Sequence, residues 1–186
     1  MVRAALFLAV TGLAAYASKA SLGHARSHGF YRFFAWECLL GLILLNFTGF
    51  GEWFRDPWSA RQLASWLLLV SSILPLVLGV QALRRLGRPD AASRRDPTLF
   101  AVEQTTRLVT TGVYHYVRHP LYSSLLLLTW GVFLKRPSWI AAGLAAGASL
   151  FLLGTAVAEE RENASYFGAD YEVYLRGTRR FIPYLF

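Results

Sequence analysis

Long apolar stretches, separated by short charged segments, constrain this chain more than any other feature. They run at about residues 2–17, 30–50, 63–83, 121–134 and 139–158. An α-helix needs about 20 apolar residues to cross the hydrocarbon core of a bilayer. The second, third and fifth stretches are long enough, the first is marginal, and the fourth is short. The pattern predicts an all-α integral membrane helical bundle with about five transmembrane helices.

Composition supports this assignment and excludes other classes of protein. Hydrophobic residues make up 55% of the 186 residues, and charged residues only 16%. Because lipid solvates the outer faces of such helices, these residues do not need the core of a large soluble domain. The single cysteine, Cys38, excludes a disulfide framework and argues against a cysteine metal site. We expect one membrane domain, residues 1–186, without a metal site.

Charge in the loops predicts how this domain is oriented. Seven arginines lie between the third and fourth stretches, at Arg84, Arg85, Arg88, Arg94, Arg95, Arg107 and Arg118. Basic loops stay on the cytoplasmic side, where anionic lipid headgroups attract them. The formal net charge of +8 is therefore assigned to membrane lipids, and no nucleic acid partner is expected. Lys135 and Arg136 would then lie at the outer headgroups.

The chain is predicted to have four parts. Three spans occupy residues 1–83, a cytoplasmic loop residues 84–119, a helical hairpin residues 120–158, and a cytoplasmic tail residues 159–186. In the tail, aromatic residues follow helical spacing between charged ones, at Phe167, Tyr171 and Tyr174. This pattern predicts a short amphipathic helix on the membrane surface, with the segment after it ending at the headgroups.

Two features within the spans leave alternatives open. Gly143 and Gly147, four residues apart, predict close packing against another helix or against a second protomer, so a homodimer is one prediction. Glu37 is an ionisable residue inside the second stretch, where such residues are functional by default. Pairing with Arg32 on the preceding turn, or a polar entrance between helices, would explain Glu37 equally well.

The segment Arg118-His119-Pro120 stands directly before the fourth stretch. Proline suits the first turn of a helix and His119 occupies the cap position, so a helix is predicted to begin at Pro120. Free N–H groups and the positive end of the helix dipole favour anions there, and Arg118 and His119 add donors. The motif predicts a carboxylate or phosphate site. In the simpler alternative, Arg118 reaches lipid phosphate and His119 only caps the helix.

Glu159 and Glu160 directly follow the fifth stretch. Adjacent carboxylates at the negative end of a helix are unfavourable unless a cation or a hydroxyl-rich ligand compensates them. The predicted hairpin returns them to the membrane face that carries Arg118 and His119. Anion donors beside paired carboxylates suit a zwitterionic, cationic cofactor such as S-adenosylmethionine, with tyrosines as aromatic surface. The alternative is a solvated helix end with tyrosines that only anchor the interface.

The ordered combination of these motifs resembles a known superfamily. It consists of the run Gly112-Val113-Tyr114-His115-Tyr116-Val117-Arg118-His119-Pro120-Leu121-Tyr122, then Glu159-Glu160, then Phe167-Gly168, Tyr171 and Tyr174. It resembles the isoprenylcysteine carboxyl methyltransferase and phospholipid methyltransferase superfamily over about residues 83–183. The resemblance implies a multi-span helical enzyme that takes S-adenosylmethionine from the cytosol. Its acceptor would be a lipophilic molecule from the bilayer, methylated on a carboxylate or an amine.

Motifs and resemblance together predict the site residues. Arg118 and Glu160 are the predicted catalytic residues: Arg118 would orient a carboxylate acceptor, and Glu160, or alternatively His119, would take a proton from an acceptor that must lose one. The predicted cofactor-binding residues are Tyr114, His119, Pro120, Tyr122, Glu159, Glu160 and Tyr171.

Two other functions remain open at the level of sequence. Membrane sterol reductases carry a similar Arg-His-Pro-x-Tyr run and use NADPH. Here Leu121 stands where those reductases tend to have asparagine, and Glu159-Glu160 would repel the phosphates of that cofactor. The second alternative is a small membrane scaffold without catalysis.

Overall fold

The computed structural model describes residues 2–47, 50–90, 99, 101 and 103–184. These residues form helices and loops and contain no extended strand, which confirms the predicted all-α class. The helices are α1 Val2–Ala17, α2 Lys19–Gly23, α3 His28–Phe47, α4 Ala60–Leu86, α5 Pro120–Lys135, α6 Trp139–Phe167 and α7 Ala169–Gly177, with single 3₁₀ turns at Phe50–Trp53 and Gly112–His115.

Three of these helices, α3, α4 and α6, are long and apolar enough to cross a membrane. The apolar part of α1, Ala5–Ala17, and the helix α5 are shorter. At 1.5 Å per residue, the 16 residues of α5 rise roughly 24 Å, less than a hydrocarbon core of about 30 Å. The membrane bundle is therefore confirmed, whereas the number of five crossings stays a prediction.

Helices α5 and α6 form the predicted hairpin and bring their outer ends together. Helix α6 begins at Trp139, where the side chain of Ser138 accepts a hydrogen bond from the Ala141 amide at 3.1 Å. It continues well beyond the predicted end of the hairpin and stops at Gly168, whose positive φ of 61° favours glycine. Glu159 and Glu160 therefore lie inside a helix. We call the end of the bundle at which α5 begins and α6 ends the site end.

Close helix contacts hold the site end together. A Cβ atom on Gly79 of α4 would come within 2.6 Å of the Leu121 side chain, so glycine allows this close approach to the first turn of α5. On α6, Gly147 faces α3, and a Cβ atom there would lie 3.2 Å from the sulfur of Cys38. The close packing predicted for Gly147 thus occurs within the chain, while the space around Gly143 is open. The homodimer stays a prediction.

The segment after α7 returns to the start of α5. The backbone amides of Arg118 and His119 donate to the carbonyls of Arg179 and Arg180 at 2.8 and 3.1 Å, and the Ser123 hydroxyl donates to the Phe181 carbonyl at 2.9 Å. Phe181 is only 7% exposed. Its ring packs in a core cluster of the protein, while the predicted location of this segment at the headgroups stays a prediction.

The amphipathic tail helix predicted from sequence corresponds to α7, and its Tyr171 and Tyr174 are buried in the protein. In the basic loop, Arg94 and Arg95 lie outside the described residues. Arg84, Arg85 and Arg88 are exposed at the site end. Their charge is the basis for placing this end in the cytoplasm, which stays a prediction.

Candidate active site

Helix α5 begins as the sequence predicts, with His119 at the cap position and Pro120 in the first turn. The His119 side chain does not cap the helix. Its ring instead lies between the two carboxylates of α6, with Nε2 3.2 Å from Glu160 Oε1 and Nδ1 3.6 Å from Glu159 Oε2. The ring also stacks on Tyr122, with centroids 5.4 Å apart. The hairpin therefore brings the two predicted motifs together.

The Glu160 carboxylate is saturated with cationic partners. Its Oε1 accepts from Arg118 Nε at 2.9 Å and from Arg180 Nε at 3.1 Å, and its Oε2 accepts from Arg180 Nη2 at 2.8 Å. The hydrogen bonds to Glu160 raise the pKa of Arg180. Glu160 is not among the residues that line the neighbouring cleft. In this geometry Glu160 holds Arg118 and Arg180, while the catalytic and cofactor-binding roles predicted for it stay predictions.

Arg118 lines the cleft, yet its guanidinium is held from several sides. Besides Glu160, it donates through Nη1 to the Leu175 carbonyl at 3.2 Å and to the Thr178 carbonyl. The predicted bidentate contact with an acceptor carboxylate would require these bonds to break. Arg118 thus ties α5, α6 and the segment after α7 to one another.

A cleft opens beside these ion pairs at the site end. It is bounded by the last turns of α4, the loop before α5, the first turn of α5, the end of α6 and α7. Every predicted cofactor-binding residue except Glu160 contributes to its wall. The lining residues with polar side chains are Glu103, Thr105, Tyr114, Arg118, His119, Tyr122, Glu159, Asn163, Tyr171 and Tyr174, and the apolar ones are Leu83, Leu108, Val109, Pro120, Leu121 and Phe167.

One wall of the cleft is aromatic. The rings of Phe167 and Tyr171 stack at 6.4 Å, and those of Tyr171 and Tyr174 meet edge-on at 5.8 Å. Tyr174 donates its hydroxyl to the Tyr114 carbonyl at 2.7 Å. Burial, and then the charge of Glu159, raise the pKa of both Tyr114 and Tyr171. These phenols are neutral at physiological pH, and neutral aromatic faces attract cations.

Tyr122 and Glu159 also line the cleft. Tyr122 is 4% exposed, and its hydroxyl interacts with the Glu159 carboxylate. A phenol that donates to a carboxylate keeps its lone pairs, and the carboxylate has more than one acceptor position. The pair therefore retains the capacity to hydrogen-bond a ligand in the cleft.

The sequence comparisons agree with this geometry. A sequence model of the phospholipid methyltransferase family matches residues 69–169, which is more than half of the chain and includes both motifs. The chain belongs to the phospholipid methyltransferase family. This membership confirms the resemblance drawn from the motifs and implies methyltransferase activity on lipid substrates. Comparisons with curated proteins and with solved structures give no match.

Several residues of this methyltransferase site lie beyond the matched segment. Tyr171, Tyr174 and Arg180 follow it in the chain, and Arg32 precedes it by many residues. Arg32 of α3 donates through Nη1 to Glu103 Oε2 at 2.7 Å, and the two side chains are 7% and 9% exposed. This ion pair fixes a loop residue of the cleft wall to the N-terminal half, in which no sequence motif is recognised.

Helix α3 of the methyltransferase makes a second contact with the site. The backbone amide of His28 donates to Glu162 Oε1 at 3.0 Å, and the buried His28 ring contacts the same carboxylate.

The suggested partner of Glu37 was Arg32, but Glu37 accepts a hydrogen bond from Thr11 at 2.5 Å instead. Sequence reasoning missed the α3 contacts because nothing in the local pattern selects partners 71 and 134 positions away.

Proposed function

We propose that this protein transfers a methyl group from S-adenosylmethionine to a lipid acceptor at the cytoplasmic membrane face. The observation that carries the proposal is the cleft itself, which is lined by the Glu159 carboxylate, the Tyr122 hydroxyl beside it and a set of neutral aromatic rings. When bound, S-adenosylmethionine supplies an electrophilic methyl group on a sulfonium cation. A carboxylate and aromatic faces are the groups that suit such a cation.

The residues of the cleft divide the binding task between them. Glu159 is the acceptor for the ammonium group or the ribose hydroxyls of the cofactor, and the Tyr122 hydroxyl adds a hydrogen bond beside it. Phe167 and Tyr171 offer flat surfaces for the adenine or the sulfonium. Glu160 acts indirectly, because its ion pairs with Arg118 and Arg180 hold the first turn of α5 in place.

Methyl transfer of this kind depends mainly on positioning and on the exclusion of water. The buried His119 ring fits that role, since it is held by Glu160 and stacks on Tyr122. For an acceptor that must lose a proton, His119 is a better candidate than Glu160, whose oxygens are all engaged by cations. A carboxylate or an unprotonated amine would need no base.

The arrangement of charge disfavours the reductase alternative. The Glu159 carboxylate lines the cleft and would repel the phosphates of NADPH. The guanidinium of Arg118, which would otherwise attract phosphate, is engaged by Glu160 and by the Leu175 and Thr178 carbonyls. A zwitterionic cofactor with one carboxylate and two cationic centres is compatible with both features.

Calorimetric titration of the detergent-purified protein tests the proposal. We expect saturable binding of S-adenosylmethionine and S-adenosylhomocysteine and none of NADPH. Glu159→Gln should weaken binding by roughly tenfold or more, since a charge-assisted hydrogen bond contributes about 1.5–3 kcal/mol. The matched control is Glu172→Gln on α7, which makes the same change at an exposed position. Binding of NADPH alone, or equal affinity of the two variants, would contradict the proposal.

Tyr122→Phe separates a ligand-binding role from a structural one. Because the hydroxyl interacts only with the Glu159 carboxylate among the described residues, its removal should lower the unfolding temperature by no more than about 4 °C, the equivalent of about 1 kcal/mol. Affinity for S-adenosylmethionine should fall about fivefold, the value of one lost neutral hydrogen bond of about 1 kcal/mol. A large loss of thermal stability without a change in affinity would show that the hydroxyl serves the fold.

A further inference from the structure

A second, open cavity lies apart from the cleft. It has a volume of about 260 Å³ and is lined by α1, α3 and one residue of α5. Its walls are apolar apart from Glu37, and they include Val10 and Ala14 of α1, Leu39 and Ile43 of α3, and Leu125 of α5. We call this cavity the α1–α3 groove. Its α3 wall belongs to a helix able to span the membrane, so lipid hydrocarbon is the solvent at its mouth.

The carboxylate in the groove has a hydrogen-bond partner on the neighbouring helix. Glu37 Oε2 accepts a hydrogen bond from Thr11 Oγ1 at 2.5 Å, which also ties α1 to α3. A buried polar group without such a bond would disfavour hydrocarbon nearby. With this bond in place, the remaining surface of the groove suits a chain of methylene groups.

The groove lies next to the cleft along α5. Leu125, which lines the groove, follows Tyr122, which lines the cleft, by one helical turn. Both side chains pack with Ala35 of α3 in one cluster. The two cavities are therefore neighbours on α5.

The depth of the groove matches the reach of a lipid. Leu125 is five residues beyond Pro120, and Glu37 is nine residues beyond His28. At 1.5 Å per residue these positions lie roughly 8 Å and 14 Å from the site end. A lipid whose headgroup occupies the cleft would carry its chain past this depth.

We propose that the α1–α3 groove holds a hydrocarbon chain of the lipid acceptor while its headgroup reaches the cleft. That this lipid is the methyl acceptor rests on the proposed function, whereas the presence of a lipid site rests on the geometry of the groove. It assigns a role to α1, which lies outside the segment matched by the family. It also explains why this N-terminal helix, which is shorter than a full span, is tethered to α3 by a hydrogen bond.

Two photoreactive lipids in phosphatidylcholine nanodiscs test the proposal. One carries a diazirine midway along an acyl chain, and the other carries it on the headgroup. Ala14→Trp fills the groove from α1, whereas Leu13→Trp places the same ring on the outward face of that helix, where Leu13 is 72% exposed. Val10→Phe is a smaller insertion one turn earlier, and it provides the same test if the Ala14→Trp protein does not fold.

In the wild type and Leu13→Trp we expect the chain probe to label peptides of α1 and α3, and the headgroup probe to label residues 103–109. In Ala14→Trp and Val10→Phe both kinds of labelling should fall about tenfold, a loss of about 1.4 kcal/mol in binding. Equal labelling in all four proteins would identify ordinary boundary lipid and overturn the proposal. Loss of chain labelling with unchanged headgroup labelling would overturn the link between groove and cleft.

Calorimetry on the same samples distinguishes failure of the groove proposal from failure of the proposed function. Affinity for S-adenosylmethionine should be the same in Ala14→Trp and in the wild type, because the substituted position lies on α1, none of whose described residues lines the cleft. If the wild type binds no S-adenosylmethionine, the proposed function fails, while the labelling still decides whether the groove is a lipid site.

Discussion

Replacing Glu160 by alanine is expected to lower the free energy of unfolding by about 3–5 kcal/mol, the cost of removing one partner from buried ion pairs. The Glu160 side chain is 10% exposed and joins Arg118, His119 and Arg180. Without it, the guanidinium groups of Arg118 and Arg180 would be left close together with their charges uncompensated. For a chain of this size, such a loss corresponds to a decrease in unfolding temperature of roughly 6 °C or more.

Thermal unfolding in detergent, followed by circular dichroism, measures this effect. Glu172→Ala is the control, because it removes a carboxylate from an exposed position and should change stability by less than about 0.5 kcal/mol. We also expect Glu160→Ala to bind S-adenosylmethionine poorly, since His119 and Arg118 lose their common support. An unfolding temperature equal to that of the control would show that the ion pairs do not stabilise the site.

Replacing Lys135 by alanine should have an effect of similar size at the other end of the bundle. Lys135 is 1% exposed. Its ammonium lies 2.8 Å from Gln62 Oε1, 3.6 Å from the centroid of Trp66 and 5.5 Å from that of Trp53. The substitution removes a desolvated cation–π contact of about 2 kcal/mol and leaves a cavity between α4 and α5, for a total of about 3 kcal/mol.

Two further variants separate charge from volume at this position. Lys135→Met keeps most of the volume and should recover part of the loss, while Gln62 stays without its donor. Arg136→Ala, at the exposed neighbour, should cost less than about 1 kcal/mol. The measurement is again the unfolding temperature. If Lys135→Ala and Arg136→Ala behave alike, the aromatic cage contributes no stability.

The Lys135 cage adds a contact that loop charge does not predict. Loop charge placed both Lys135 and Arg136 at the outer headgroups. The structure leaves Arg136 exposed, but it buries Lys135 among Gln62, Trp53 and Trp66. Two adjacent basic residues have different surroundings because only one of them points between α4 and α5, and a charge pattern does not contain that information.

The helices and the meeting of the two motifs could be predicted from the amino-acid pattern. Apolar length predicts the spans, Pro120 predicts the start of α5, and the hairpin requires that Pro120 and Glu159 come back to one end of the bundle. These features depend on local periodicity and on the reach of a helix, and both are properties of consecutive residues. The family resemblance rests on the same local runs.

The division between side chains that bind a ligand and side chains that hold the site together appears only in the folded chain. Glu159 and Glu160 are neighbours in sequence, yet Glu159 faces the cleft while Glu160 is enclosed by Arg118 and Arg180. Likewise Arg32 pairs with Glu103 across 71 positions, and Phe181 folds back into the core. Each of these choices depends on the packing of distant segments, because a charged side chain takes the partner that the folded backbone places beside it.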